Sequence, residues 1–213
     1  MKEKWIEAWK YKPYRYTLLA SLVFTLIVSH YYAIFLLFNE GRNGFDFNDP
    51  VLRFFTPVNL SVPLFIAMYS AAVFTAIYVI NTSPILTLKL AFAYTFLLIW
   101  RMFSLTILPL NPPSGVLPLN DPFLIHFVYS DRIDVRDLFF SGHTASAFLF
   151  YIVVENKKLK MYLLVCVLFI AVGVLAQHLH YSIDVLGAPI FSYLAYFPAK
   201  WLVKRVDYTR AKK

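Results

Sequence analysis

YTLLASLVFTLIVSHYYAIFLLF, residues Tyr16 to Phe38, contains no lysine, arginine, aspartate or glutamate. A continuous apolar run of roughly 18 or more residues is long enough to cross a bilayer as a helix. It follows a basic segment, as the apolar part of a signal peptide would. The run is too long for that, however, and no small-residue cleavage site follows it, so it reads as an uncleaved first span. Five further runs lie downstream: Leu60–Ile80, Ile85–Leu108, Leu138–Val154, Leu159–Gln177 and Ile183–Val203. The fourth and fifth are the shortest, which places their ends close to the lipid headgroups. Of the 213 residues 60% are hydrophobic and 15% charged, against about a quarter charged in a soluble domain. The expected fold class is an all-α membrane protein, a bundle of six transmembrane helices. Residues 1–213 read as one domain, with an aromatic, basic interfacial segment at 1–15 and a basic tail at 204–213.

Charge sets the expected orientation. Lysine and arginine collect on the cytoplasmic side of membrane proteins, and six spans place both termini on one side. That side holds 15 of the 20 basic residues and four acidic ones, a net of +11; the other holds five basic and eight acidic, a net of −3. Both termini are therefore expected in the cytoplasm of a multi-pass protein of the cell membrane. The basic residues flank apolar spans and belong to no sequence-reading motif, so no nucleic acid partner is expected. Cys166, the single cysteine, allows no intramolecular disulfide and no multi-cysteine metal site.

The topology gathers the unusual polar residues on one face. The outer loops are 39–59, 109–137 and 178–182, and DLFFSGHTAS, Asp137 to Ser146, opens the fourth span from that side. In QHLHYSID, His180 and Asp184 are four apart and share a face if the sixth helix begins near His180. A carboxylate one turn away holds one imidazole nitrogen protonated and leaves a lone pair on the other, which suits a nucleophile. Ser141 can cap a helix and Gly142 allows close backbone approach; amides at a helix start bind phosphate oxygens. His143, just inside, can deliver a proton to a leaving oxygen. Arg101 lies toward the outer end of the third span, where an arginine needs an anionic partner, a lipid phosphate for instance, or a route to water. Asp137 is a further candidate at the helix start, with a bare capping role as the alternative. His30 and His126 read as interfacial residues outside the site. Phosphoryl chemistry is the natural use of the set. The competing readings are a zinc site on His143, His178, His180 and Asp184 and a non-catalytic lipid-binding protein.

DLFFSGHT and HYSIDVLGA resemble the two catalytic motifs of the sphingomyelin synthase family, within the wider lipid phosphate phosphatase (phosphatidic acid phosphatase type 2) superfamily. Arg101 followed by ILPLNPPSG, and NDPVLRFFTP from Asn48, resemble the family's earlier motifs more loosely. The resemblance covers Tyr16 to Val203. It implies a six-helix phosphotransferase with a triad of His143, His180 and Asp184, and no cofactor or metal. The second histidine attacks a phospholipid headgroup phosphate, and the first protonates the departing diacylglycerol. A lipid alcohol such as ceramide then accepts the headgroup from phosphohistidine. With Phe140 before Ser141 and Val174 six residues before His180, the chain lacks residues usual in the free phosphatases and fits the transferase branch better. A lipid phosphatase or phospholipase C-type hydrolase on the same triad is the alternative. The family's usual Cys-Gly-Asp is Val135, Arg136 and Asp137 here, which makes Arg136 a candidate contact to the headgroup. The short chain, without an added amino-terminal domain, points to a bacterial relative.

Overall fold

The computed structural model describes residues 2–119 and 135–209. His126 and the tail residues Arg210, Lys212 and Lys213 lie outside the described residues. The described residues form seven α-helices: α1 Lys2–Lys10, α2 Lys12–Glu40, α3 Ser61–Thr82, α4 Pro84–Ile107, α5 Gly142–Val153, α6 Lys157–Ala176 and α7 Ser182–Arg205. One 3-10 turn at Leu52–Phe54 and an isolated parallel bridge between Phe45 and Leu110 complete the regular structure among them.

Four helices, α2, α3, α4 and α6, are long and apolar enough to cross a membrane. Their outward faces are greasy: Leu26, Ile66 and Leu168 are 71%, 65% and 59% exposed. A soluble protein would not leave such a continuous apolar surface uncovered. α7 has comparable length, but it carries Asp184 in its first turn and Lys204 and Arg205 in its last.

The fourth predicted span needs correction. α5 has 12 residues, about 18 Å at 1.5 Å per residue, too short to cross a bilayer alone. Ser141 has extended backbone angles and its side chain accepts the Thr144 N–H, so the helix begins at Gly142. Leu138 and Phe140 are apolar because they are packed inside the protein, at 1% and 0% exposure.

α4 is the central helix, packed against α2, α3, α5 and α7. Small residues belong to the core shared by these helices: Ala93 on α4, Ala145 on α5, and Ala188, Ala195 and Ala199 on α7 are all fully buried. Small side chains let helix backbones approach where van der Waals packing, not water exclusion, holds helices together. At one end of the bundle, Trp5 Nε1 donates to the Ile80 carbonyl (2.9 Å), Lys4 Nζ to that of Thr82 (3.1 Å) and Tyr14 Oη to that of Pro84 (2.9 Å). The first two bonds satisfy end carbonyls of α3, which would otherwise be orphaned, and the third ties α2 to the start of α4. Tyr208 packs edge-on against Tyr14 with ring centroids 5.9 Å apart. Both described ends of the chain therefore meet at this basic end.

At the opposite end the interhelical loops are stitched to one another. Phe45 N–H donates to the Pro109 carbonyl (2.8 Å), and Asn111 N–H returns to the Phe45 carbonyl (3.0 Å). Gly44 permits this crossing, since a Cβ there would stand 2.4 Å from the Leu110 carbonyl carbon. Gln177, fully buried, receives the Leu60 N–H on its oxygen (3.0 Å) and donates to Ser61 Oγ and the Leu117 carbonyl (3.0 Å each). His178 sits beside it with φ 54° and places one ring nitrogen 2.9 Å from the Ser114 carbonyl and the other 3.0 Å from that of Phe55.

Candidate active site

The two polar motifs converge at this stitched end. The Ser141 N–H donates to the Asp184 carbonyl (3.0 Å), joining the start of α5 to the first turn of α7. A second tie lies deeper, where Ser192 Oγ donates to the Ala145 carbonyl (2.9 Å). His143, in the first turn of α5, then faces His180, with ring centroids 6.1 Å apart and planes inclined at 63°.

His180 is 3% exposed and Asp184 fully buried. Asp184 Oδ2 lies 3.3 Å from His180 Nδ1 and accepts the Tyr181 N–H at 2.9 Å. The carboxylate is an acceptor, so Nδ1 carries the proton and Nε2 keeps the lone pair. Asp184 Oδ1 is buried without a partner among the described residues. Tyr181 is fastened at its far end, donating to the Asn111 carbonyl (2.9 Å) and packing edge-on against Phe47 (5.2 Å). Burial, with Asp184 nearby, raises its phenol above the ordinary tyrosine value, so the hydroxyl stays a proton donor.

Arg101 is the third element. It is 3% exposed, so it does not snorkel to the surface; a carboxylate comes to it instead. Its Nη2 pairs with Asp137 Oδ1 and also donates to the Asp137 carbonyl (3.2 Å), while Nε donates to Tyr32 Oη (3.1 Å). Tyr32 in turn reaches Asp137 Oδ2 (3.4 Å). The remaining nitrogen, Nη1, is buried with no partner among the described residues. The guanidinium lies against Gly142, where a Cβ would stand 3.1 Å from Cζ, and over the Phe140 ring at 5.3 Å. Any side chain at 142 would push the guanidinium away from the start of α5.

The expected site residues thus divide. His143, His180, Asp184, Ser141, Gly142, Arg101 and Asp137 come together, with the Ser141 side chain taken up by the helix cap. Arg136 is employed elsewhere: its guanidinium donates to the Arg42 carbonyl and to Asn111 Oδ1 (3.1 Å). Its backbone is held by Glu40, which accepts the N–H groups of Val135 (3.1 Å) and Arg136 (2.9 Å), and by Asn39 Nδ2, which donates to the Arg136 carbonyl (2.9 Å). The α2 end therefore fixes the segment that delivers Asp137 to Arg101. His178 joins no metal-ligating group with the other histidines, because both its nitrogens face carbonyl oxygens. Among the described residues no set of three or more His, Cys, Asp or Glu side chains is grouped to hold a metal ion.

Several contributors escape a reading of the sequence. Asp49 is buried and accepts the Val51 N–H (2.8 Å) on one oxygen and the Ser182 N–H on the other, so it caps α7 from another loop. Its only signal is the NDP turn. Tyr32, one tyrosine among 15, has none.

Residues 136–201 match the family model described as PAP2 superfamily C-terminal. The match takes in both histidine motifs and less than a third of the chain. A comparison with curated protein sequences gives no match. The family match supports the phosphatidic acid phosphatase type 2 superfamily, and with it an enzyme of lipid phosphatase or phosphotransferase type. It does not reach sphingomyelin synthase in particular.

Proposed function

We propose that this protein is a membrane lipid phosphotransferase that moves a phospho-headgroup from a glycerophospholipid to a lipid alcohol such as ceramide or diacylglycerol. One observation carries the reading. Two histidines face each other across a helix start, at which a buried arginine nitrogen has no partner among the described residues. The amides of α5 and Arg101 Nη1 form a cradle for phosphate oxygens. His180 Nε2 attacks phosphorus; the bond from phosphorus to the diacylglycerol oxygen breaks, and His143, as imidazolium, gives that oxygen its proton. The headgroup phosphate is then bonded to His180. In the second half the acceptor hydroxyl gives its proton to His143 while its oxygen bonds phosphorus. The phosphorus–nitrogen bond breaks and His180 is restored. The protein's own groups balance both halves.

Incubation of purified protein with labelled phospholipids and a panel of lipid alcohols tests the reading. Labelled lipid products that depend on the added alcohol are expected. Release of free phospho-headgroup instead would make water the acceptor and the protein a hydrolase on the same three residues. Strong chelators should leave the rate nearly intact; loss on chelation with recovery on added zinc would overturn the metal-free mechanism.

The proposed setting is the cell membrane, with the basic end and both termini in the cytoplasm and the histidines on the outer face, because the charge difference of +11 against −3 favours it. Terminal tags should resist protease added to intact cells, and the loop at 109–137 should be labelled from outside. Cleavage of a terminal tag from outside would invert the arrangement.

A further inference from the structure

We propose that Asp137 sets the charge of phosphate the site accepts, selecting singly charged phosphodiesters over doubly charged phosphomonoesters; the inference rests on the phosphotransfer reading above. Arg101 is the permanent cation at the cradle, where His143 carries only the proton it passes on, and Asp137 already cancels the arginine's charge through a buried pair. The other described arginines near this end are engaged on the loops. Arg42 donates to the Leu105 and Thr106 carbonyls (3.3 Å each), Arg53 to Asn48 Oδ1 (2.9 Å), and Arg136 to the Arg42 carbonyl and Asn111. Arg132 lies outside the described residues. Two more carboxylates stand behind the site: Asp184 against His180, and Asp49 at the start of α7.

A phosphodiester brings one negative charge to this neutral pair, whereas a monoester brings about −1.5 to −2 at neutral pH. The His143 proton is owed to the leaving oxygen whichever substrate binds, so among the described residues the second charge has no further cation to meet and must sit close to Asp137, in a setting that screens poorly. Arg101 does not need a charged partner to be held in place. Tyr32 fixes its Nε and the Asp137 backbone carbonyl also receives Nη2, so the carboxylate adds charge as well as geometry.

The test is Asp137→Asn, which keeps an acceptor oxygen for Nη2 and removes the charge. The ratio of kcat/KM for phosphatidate to that for phosphatidylcholine is expected to rise about tenfold or more. An unchanged or lower ratio overturns the inference while leaving the transferase reading intact. A second measurement uses the unaltered protein and needs neither turnover nor the variant. At pH 8, dimethyl phosphate should raise its melting temperature more than methyl phosphate at equal concentration. Equal shifts, a larger shift from methyl phosphate, or no shift from either overturn the proposal. Failure of the unaltered protein to turn over any phospholipid, with dimethyl phosphate still preferred, would count against the phosphotransfer reading alone.

Discussion

His180→Ala should abolish transfer from every donor, by at least about 10⁴-fold, and no phosphate should be found on the protein. His143→Ala should behave differently. With a natural donor it should also lose most of the rate, because the diacylglycerol oxygen leaves poorly without a proton. With a donor whose leaving group is already a stable anion, a nitrophenolate for instance, no acid is needed. A burst of that group should then appear, with acid-labile phosphate trapped on His180. The contrast follows from the orientation of the rings: His180 Nδ1 is committed to Asp184, so its Nε2 lone pair is available as a nucleophile. Asp184→Asn should cost roughly 10³- to 10⁴-fold, because an amide can donate to Nδ1 and favour the wrong tautomer. Acid-labile phosphate on His143 that persists in His180→Ala would exchange the two roles.

Arg101→Lys should reduce kcat/KM by about 10²- to 10³-fold, the usual cost of losing a donor to a developing oxyanion. Two nitrogens of the guanidinium are committed, Nε to Tyr32 and Nη2 to Asp137, which leaves Nη1 as the one proposed to meet phosphate. An ammonium is a single point of charge on a flexible stem and cannot hold Asp137 and a phosphate in fixed, separate directions. Gly142→Ala, made at the surface Arg101 leans on, should give a loss of similar kind without removing any charge. A melting temperature near that of the unaltered protein, together with an unchanged rate in both variants, would remove Arg101 from the site.

The helical class was legible because it depends on short-range periodicity, and long apolar runs have few uses outside a membrane. The His180–Asp184 pairing was legible for a reason the structure corrects: α7 begins at Ser182, so His180 stands before the helix and meets Asp184 across its first turn instead of along one helical face. The helix start at Ser141 was legible for a local reason, as the helical class was. Hydropathy misjudged the fourth span, since Leu138 and Phe140 are greasy for burial against protein, and a transfer scale does not distinguish protein from lipid. The pairing of Arg101 with Asp137 was not legible. It depends on an extended segment held by Asn39 and Glu40 at the end of a different helix, a contact no local pattern encodes. Asp49 capping α7 is the same kind of miss, a donor and acceptor brought together across 133 positions of chain.

The shortness of α5 has one more consequence. Arg101 lies six residues before the end of α4 and Tyr32 eight before the end of α2, so the cradle is sunk about 9 to 12 Å below those helix ends. In the proposed setting this depth is that of the glycerol and phosphate layer of the leaflet. A donor would slide in sideways with its acyl chains still among its neighbours, instead of being lifted into water. The concentration such an enzyme senses is then two-dimensional. Diluting vesicles with buffer would leave its velocity per molecule unchanged, whereas diluting the substrate with inert lipid at constant total lipid would slow it in proportion to mole fraction.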